Sequence, residues 1–337
     1  MDSGLYSILQ LKPVIRGLLF LLIGLPFIVQ AQQKEIPRDT TYTVASTYKK
    51  LVKDYPDIKP VLPFSIKGIT QKMNAVYLRL DDTPYGKREL HADVFFPDKK
   101  GKYPALVLIH GGGWRSGDKS MNTPLAQQLA GKGFVVISVE YRLSLEVKYP
   151  AAIHDIKSAI RWARAQAKEF KIDVDRIAIG GASAGGQLAS LIGATNGNRQ
   201  FEGNAGNTTY SSAVQAVIDM DGLLDFTHEE NLKVKRTENS ADVFWLEGFY
   251  EQVPDKWREA SALNWVNRNT PPFLFINSSQ IRFAAGYGEM AAKLNAFGIY
   301  NEVHKLEGSP HSYWLFEPWF NPTVQYIENF LNTVFKK

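Results

Sequence analysis

Hydrophobic positions along this chain follow more than one rhythm. From about residue 71, MNAVYLRL and ELHADVFF alternate apolar and polar side chains, the period of antiparallel strands near a sheet edge with one solvated face. Four other stretches, YPALVLIH (103–110), GFVVISVE (133–140), RIAIG (176–180) and PFLFIN (272–277), are short continuous apolar runs. Runs of that kind predict strands covered on both faces. VIDM before Asp221 and NEVHKLE before Gly308 read as two further strands. Between these, apolar residues recur at three- and four-residue steps, which predicts helices over Thr123–Lys132, Ala151–Phe170, Ala184–Ala194, Gly286–Phe297 and Pro322–Phe335. In the second of them Ile153, Ile156, Ile160, Ala163 and Ala167 form a single stripe suited to lie on a sheet. Strand alternating with helix predicts an α/β fold, a mostly parallel central sheet with helices on both faces.

Two stretches break the rhythm. Residues 32–70 are polar and carry Pro37, Pro56, Pro60 and Pro63 around one short helical stretch near Thr47–Asp54. They read as an N-terminal extension packed on a domain that runs from 71 to 337, not as a domain in themselves. The second is an insertion at about 226–265, between two sheet strands, holding Trp245, Phe249, Tyr250, Trp257 and Trp265. Those rings either pack the insertion's own small core or line a cleft beneath it as a cap.

The first thirty residues change the picture of where the protein goes. Lys12 and Arg16 precede an uncharged run of 13 residues, GLLFLLIGLPFIV, and Val29-Gln30-Ala31 then offers small side chains at the positions a signal peptidase reads. A membrane-spanning helix needs about 18 or more apolar residues, so a cleaved secretory signal over residues 1–31 is expected. Cleavage after Ala31 of the 337-residue chain leaves 306 and predicts an exported protein, periplasmic or extracellular. The chain has no cysteine, which excludes disulfides, cysteine-ligated metal, a cysteine nucleophile and a cysteine-linked lipid anchor. Its 39 Lys and Arg against 34 Asp and Glu give +5, with the charges scattered. Nucleic-acid binding is not expected from such a surface, nor a membrane anchor in the mature protein.

Candidate chemistry begins at RIAIGGASAGGQLAS (176–190), where Gly181-Ala182-Ser183-Ala184-Gly185 follows a buried strand and opens a helix. G-x-S-x-G alone is a weak signal, but a strand before it and a small-residue helix after it are what a nucleophile elbow requires. The tight turn lifts the Ser183 hydroxyl above the sheet at a helix N-terminus, where the dipole favours developing negative charge. His110-Gly111-Gly112-Gly113-Trp114 follows the strand YPALVLI. Three successive glycines cost conformational entropy and suit a loop whose backbone must approach something closely. Amides of Gly112, Gly113 and Ala184 are the candidate donors to one oxyanion. Among six histidines, His91, His110, His154, His228 and His304 fall in strands, a helix, the glycine loop or the insertion. Only His311 lies in a loop after the last strand, where a base reaches a serine placed earlier in the chain.

HGGGW, EYRLS (140–144), YPAAIHDIKSAIRWAR (149–164), DVDRIAIGGASAGG and PHSYWLF together resemble the α/β-hydrolase superfamily over about residues 75–335. Within it they are most similar to the bacterial feruloyl-esterase-like (BD-FAE-like) and acetyl-esterase branch, neighbours of the hormone-sensitive-lipase type. The resemblance implies an α/β-hydrolase fold with a cap, ester hydrolysis without a cofactor or metal, Ser183 as nucleophile, His311 as base and Gly112, Gly113 and Ala184 as the oxyanion hole. It gives Tyr141, Arg142 and Asp155 structural roles. One departure stands out: where the superfamily places its acid in an H-G-x-x-D loop, this chain reads Ser278-Ser279-Gln280-Ile281-Arg282. Asp221 ranks first as the acid because it lies nearest the carboxyl end of its strand, ahead of Asp225, Glu289 and an acid-free dyad.

These residues predict a secreted serine esterase acting on acetyl or feruloyl esters of plant polysaccharides, with the insertion's rings, Trp314 and Trp319 expected to stack sugars. Two alternatives are a peptidase of the prolyl-oligopeptidase kind, for which 306 residues leave no room for the usual extra domain, and a catalytically silent carbohydrate-binding homologue. The sequence leaves oligomeric state open.

Overall fold

The computed structural model describes Met1 and residues 34–336, and the fold is that of the unit Lys34–Lys337. Apart from Met1, the expected signal segment lies outside the described residues. The polar extension holds α1 (Val44–Leu51) and β1 (Lys59–Pro60). Then come β2 (Ile69–Leu80), β3 (Arg88–Pro97), β4 (Tyr103–Ile109), α2 (Thr123–Gly131), β5 (Val135–Val139), α3 (Ala151–Ala165), α4 (Ala167–Phe170), β6 (Ile172–Ala182), α5 (Ala184–Ala194) and β7 (Ala216–Met220). The insertion carries α6 (Glu229–Leu232), α7 (Ala241–Leu246) and α8 (Pro254–Ala260). After it come β8 (Phe273–Asn277), α9 (Tyr287–Ala296), β9 (Asn301–Lys305), β10 (Phe316–Glu317) and α10 (Phe320–Phe335).

Eight strands form one sheet in the order β2-β3-β5-β4-β6-β7-β8-β9. The pairs β2/β3 and β3/β5 are antiparallel, and every pair from β5/β4 onward is parallel. The continuous apolar runs are explained by two cores. Val107, Ile109, Ile137 and Ile179 pack on one side with α3 and α5, while their neighbours Leu106, Leu108, Val136 and Ala178 pack on the other with α2 and α10. Ile153, Ile156 and Ile160 of α3 are fully buried against the first side, each stabilising the fold by roughly 1.5–3 kcal/mol.

Two expectations need correction. Alternation in ELHADVFF does not give β3 a solvated face: from Ala92 to Pro97 it is buried throughout, because β3 lies second in the sheet, between β2 and β5. The helix expected over Ala151–Phe170 breaks at Gln166 into α3 and α4, and Lys171, at φ 60°, turns the chain into β6.

The extension is fastened at several points. A reciprocal cap between Thr43 and Ser46 starts α1, and Tyr42, Val44, Tyr48, Leu51 and Tyr55 pack against the core on the α2/α10 side. β1 pairs antiparallel with β10. Farther in, Asp155 on α3, 1% exposed, accepts from Arg142 Nη2 at 2.7 Å, Nε at 2.9 Å and the Arg142 backbone N–H at 3.1 Å. This ties the segment after β5 to the helix beneath it.

Breaking a pair of that kind leaves a part-buried guanidinium without its acid. Asp155→Ala is expected to lower the unfolding free energy by about 3 kcal/mol in urea titration, and a loss under about 1 kcal/mol would show the pair to be incidental.

Candidate active site

β6 and β7 are each followed directly by a residue forced into the left-handed region. Ser183 has φ 55° and ψ −120°, and Asp221 has φ 55°. Such backbone is strained for any residue with a Cβ, and neighbouring strands hold it. The N–H of Ser183 donates to Met220 O at 2.8 Å, and that of Asp221 to Ile276 O at 3.0 Å. Gly185 must be glycine because a Cβ there would stand 2.3 Å from Ile109 O, so only a bare backbone lets α5 descend onto the end of β4.

His311 arrives from the loop after β9 and meets both. Its Nε2 lies 2.8 Å from Ser183 Oγ and its Nδ1 2.9 Å from Asp221 Oδ2. Asp221 is fully buried, and its other oxygen accepts the N–H of Ser278 at 2.7 Å. Asp225 instead caps its own turn through the N–H of Thr227, and Glu289 lies 3.4 Å from His228 Nε2. Ile281, near the usual acid position, is 73% exposed.

The glycine loop comes up beside Ser183. Gly113 and Ala184 line the same cleft as Ser183, and Gly112 with Gly113 lines a second opening onto it. The N–H groups of Gly112, Gly113 and Ala184 donate to nothing among the described residues. At Gly112, φ is 127° and a Cβ would stand 2.0 Å from Ser116 O, so the loop closes only with glycine there. Trp114 locks the loop to the serine's helix: its indole N–H donates to Gln187 Oε1 at 2.8 Å, and Gln187 donates to Ala260 O at 2.9 Å. Trp114 also stacks on Trp245 of the insertion, centroids 4.7 Å apart. His110 is buried and stacked on Tyr141, with Nδ1 donating to Gly111 O at 2.8 Å, and burial lowers its pKa.

The cleft, about 360 Å³, is walled by charged residues of the insertion rather than by its rings. Trp245 and Trp257 are buried, Trp265 packs edge-on against Phe201, and Phe249 and Tyr250 lie against the core. None of the five lines the cleft, because short helices in an insertion need a core of their own and turn their apolar side into it. Nor do the two C-terminal tryptophans: Trp314 meets the His311 ring edge-on at 5.3 Å from within the core, and Trp319 packs on Tyr55. Of the rings that do line the cleft, Trp114 belongs to the glycine loop, whereas Phe283 was not singled out by sequence; it stacks on His311 with centroids 3.4 Å apart. Residues 39–42 of the extension, through Asp39, Thr41 and Tyr42, rim the second opening. Asp39 pairs with Arg115 at 3.3 Å, and the Tyr42 N–H donates to Ser116 Oγ.

Fold and site together define an α/β-hydrolase. The chain belongs to the BD-FAE family, whose model matches residues 92–281. It is similar to esterase LipC of Mycobacterium tuberculosis, 30% identical over 68% of this chain and 58% of LipC, and to the probable carboxylic ester hydrolase LipM of the same organism, 30% identical over 60% of this chain and 48% of LipM. The chain thus spans about half the length of the curated relatives it matches. Among solved structures it is similar to a truncated carbohydrate esterase from gut microbiota, with TM-score 0.71 and 25% identity over 83% of this chain and all of that one. A thermophilic esterase of Thermogutta terrifontis, Est2, gives TM-score 0.64 and 25% identity over 82% of this chain and 96% of that one.

Beneath the site, Asp219 on β7 is 1% exposed and accepts the N–H of Gly222 at 2.9 Å. Burial, reinforced by the nearby Asp221 charge, pushes its carboxyl well above the ordinary carboxylate range. The folded state therefore holds a proton there that the unfolded chain releases, and stability from this group falls as pH rises from about 4. Asp219→Asn is expected to unfold at higher urea than the parent at pH 7, with the gap closing as pH is lowered to about 4. A gap that stays constant with pH would contradict this.

Proposed function

We propose that the protein is an exported serine esterase that hydrolyses carboxylic esters through an acyl-enzyme on Ser183. The observation that carries this reading is the continuous contact from Asp221 through His311 to Ser183, opening onto a cleft beside backbone N–H groups that have no partner among the described residues. His311 takes the Ser183 proton at Nε2 as Oγ attacks the ester carbonyl. The N–H groups of Gly112, Gly113 and Ala184 receive the oxyanion, whose charge appears only in the tetrahedral state, so their effect falls on the barrier. His311 then protonates the leaving alcohol, and water repeats the sequence to free the acid. Asp221 keeps the proton on Nδ1 and stabilises the imidazolium.

Names of relatives support the ester class: LipC is an esterase and LipM a probable carboxylic ester hydrolase. The carbohydrate esterase from gut microbiota supports a sugar-linked ester, here acetyl or feruloyl groups on plant polysaccharides or their oligosaccharides. Export rests on the signal pattern of residues 1–31. Among the described residues no helix is long and apolar enough to cross a membrane.

Ser183→Ala is expected to abolish hydrolysis of 4-nitrophenyl acetate and labelling by a fluorophosphonate, with circular dichroism unchanged; undiminished turnover would sink the assignment. Asp221→Asn is expected to lower kcat by about 10⁴-fold, because the amide holds the wrong tautomer. For export, N-terminal sequencing of protein from the periplasm or medium should begin at Gln32, and an intact Met1 would reject cleavage.

A further inference from the structure

Four charged side chains besides Asp221 wall the cleft at Ser183: Lys235, Arg236, Asp242 and Arg282. Two of them cancel. Arg236 Nε donates to Asp242 Oδ2 at 2.7 Å, both side chains are nearly buried, and the other guanidinium nitrogens are spent on Asn231 and Val234. The remaining pair of cations has no such partner. Arg282 comes only within 4.0 Å of the Asp242 oxygen that Arg236 already holds, and its side chain stays 42% exposed. Lys235 is exposed and pairs with no group among the described residues. Burial lowers the Arg282 pKa, the sign of a cation set in a partly desolvated wall without full compensation.

The position of Arg282 says which part of a substrate it meets. Its guanidinium lies over the Phe283 ring, 5.3 Å from the centroid, and that ring is stacked on His311. His311 is the group that hands a proton to the leaving oxygen, so its flank is where the alcohol part of the ester sits. A planar guanidinium matches a carboxylate in a two-pronged fork, and a lysine nearby adds a second, movable charge.

We propose that this cleft selects esters on an acidic sugar, a uronate whose carboxylate docks on Arg282 and Lys235 while a neighbouring acylated hydroxyl is presented to Ser183. The proposal rests on the serine esterase reading above and narrows it from glycan esters in general to anionic ones.

The test compares O-acetylated oligogalacturonides with free carboxylates against the same oligomers with the carboxylates methyl-esterified, following acetate release. The free acid is expected to have the higher kcat/KM by on the order of tenfold at low salt, the ratio falling toward one as salt is raised to about 0.5 M. The same ratio is expected to fall in Arg282→Gln and in the exposed Lys235→Gln, and to be partly kept in Arg282→Lys. Calorimetric binding of both oligomers to Ser183→Ala reads the preference without turnover. Equal binding and equal kcat/KM for the two oligomers, or a preference that survives both glutamine variants, overturns the proposal. Absence of turnover on every substrate including 4-nitrophenyl acetate counts against the esterase reading, while the calorimetry still decides the preference for the acid.

Discussion

The parallel register of three neighbouring strands is the constraint on which the site depends. Ala182 of β6 pairs with Met220 of β7, and Met220 with Ile276 of β8, so the three strands reach the site side by side. The residues that come directly after the first two are Ser183 and Asp221, which start about one strand spacing apart, near 4.8 Å. An imidazole fits between two side chains set that far apart, with one ring nitrogen toward each. Since side chains alternate between faces, a slip of one residue between β6 and β7 would put Ser183 and Asp221 on opposite sides of the sheet.

Holding that arrangement open has a cost, and the surroundings offset it. Ser183 and Asp221 both sit at positive φ, each a strain of order 1–3 kcal/mol. Each is pinned by an N–H donated to the next strand, and the Asp221 turn is propped from below by Asp219, which receives the N–H of Gly222. The glycine loop follows β4 outside the ladder of the sheet. It is held through Trp114 instead, hydrogen-bonded to Gln187 on the serine's own helix and stacked on Trp245 of the insertion. Loop, nucleophile helix and insertion are thereby one connected piece around Ser183.

Much of this was legible in the chain, for a physical reason in each case. A buried parallel strand writes a continuous apolar run, and the β6-turn-α5 passage needs small residues at fixed positions, so α5 was readable to the residue at Ala184–Ala194. His311 stood out because the other histidines fall inside regular elements, the glycine loop or the insertion. The acid was harder: Asp221 and Asp225 lie within one short loop, and only the row of strand ends separates a carboxylate that faces His311 from one that caps its own turn. The insertion defeated the reading of its aromatics. In helices as short as α6, α7 and α8 there are too few turns for a period to show which side faces inward, and the rings went to the core while Lys235, Arg236 and Asp242 went to the cleft. Phe283 was invisible for a related reason, since nothing in SSQIRFA marks a ring that will lie on a histidine in another loop.

Placing the acid at the end of β7 alters what the loop after β8 is free to do. Where that loop supplies the acid, its conformation is dictated by the need to hold a carboxylate against the imidazole. Here it contributes only the N–H of Ser278, to Asp221, and the turn beyond it, Ile281–Ala284, is released from that duty. The turn stacks Phe283 on the His311 ring and lays Arg282 over the Phe283 ring. The loop that in the superfamily pattern would orient the base here lines the cleft beside His311. The departure from the expected H-G-x-x-D pattern is therefore not a missing part on the esterase reading: the carboxylate that meets His311 stands one strand earlier, after β7, and the turn after β8 lines the cleft with Arg282 and Phe283.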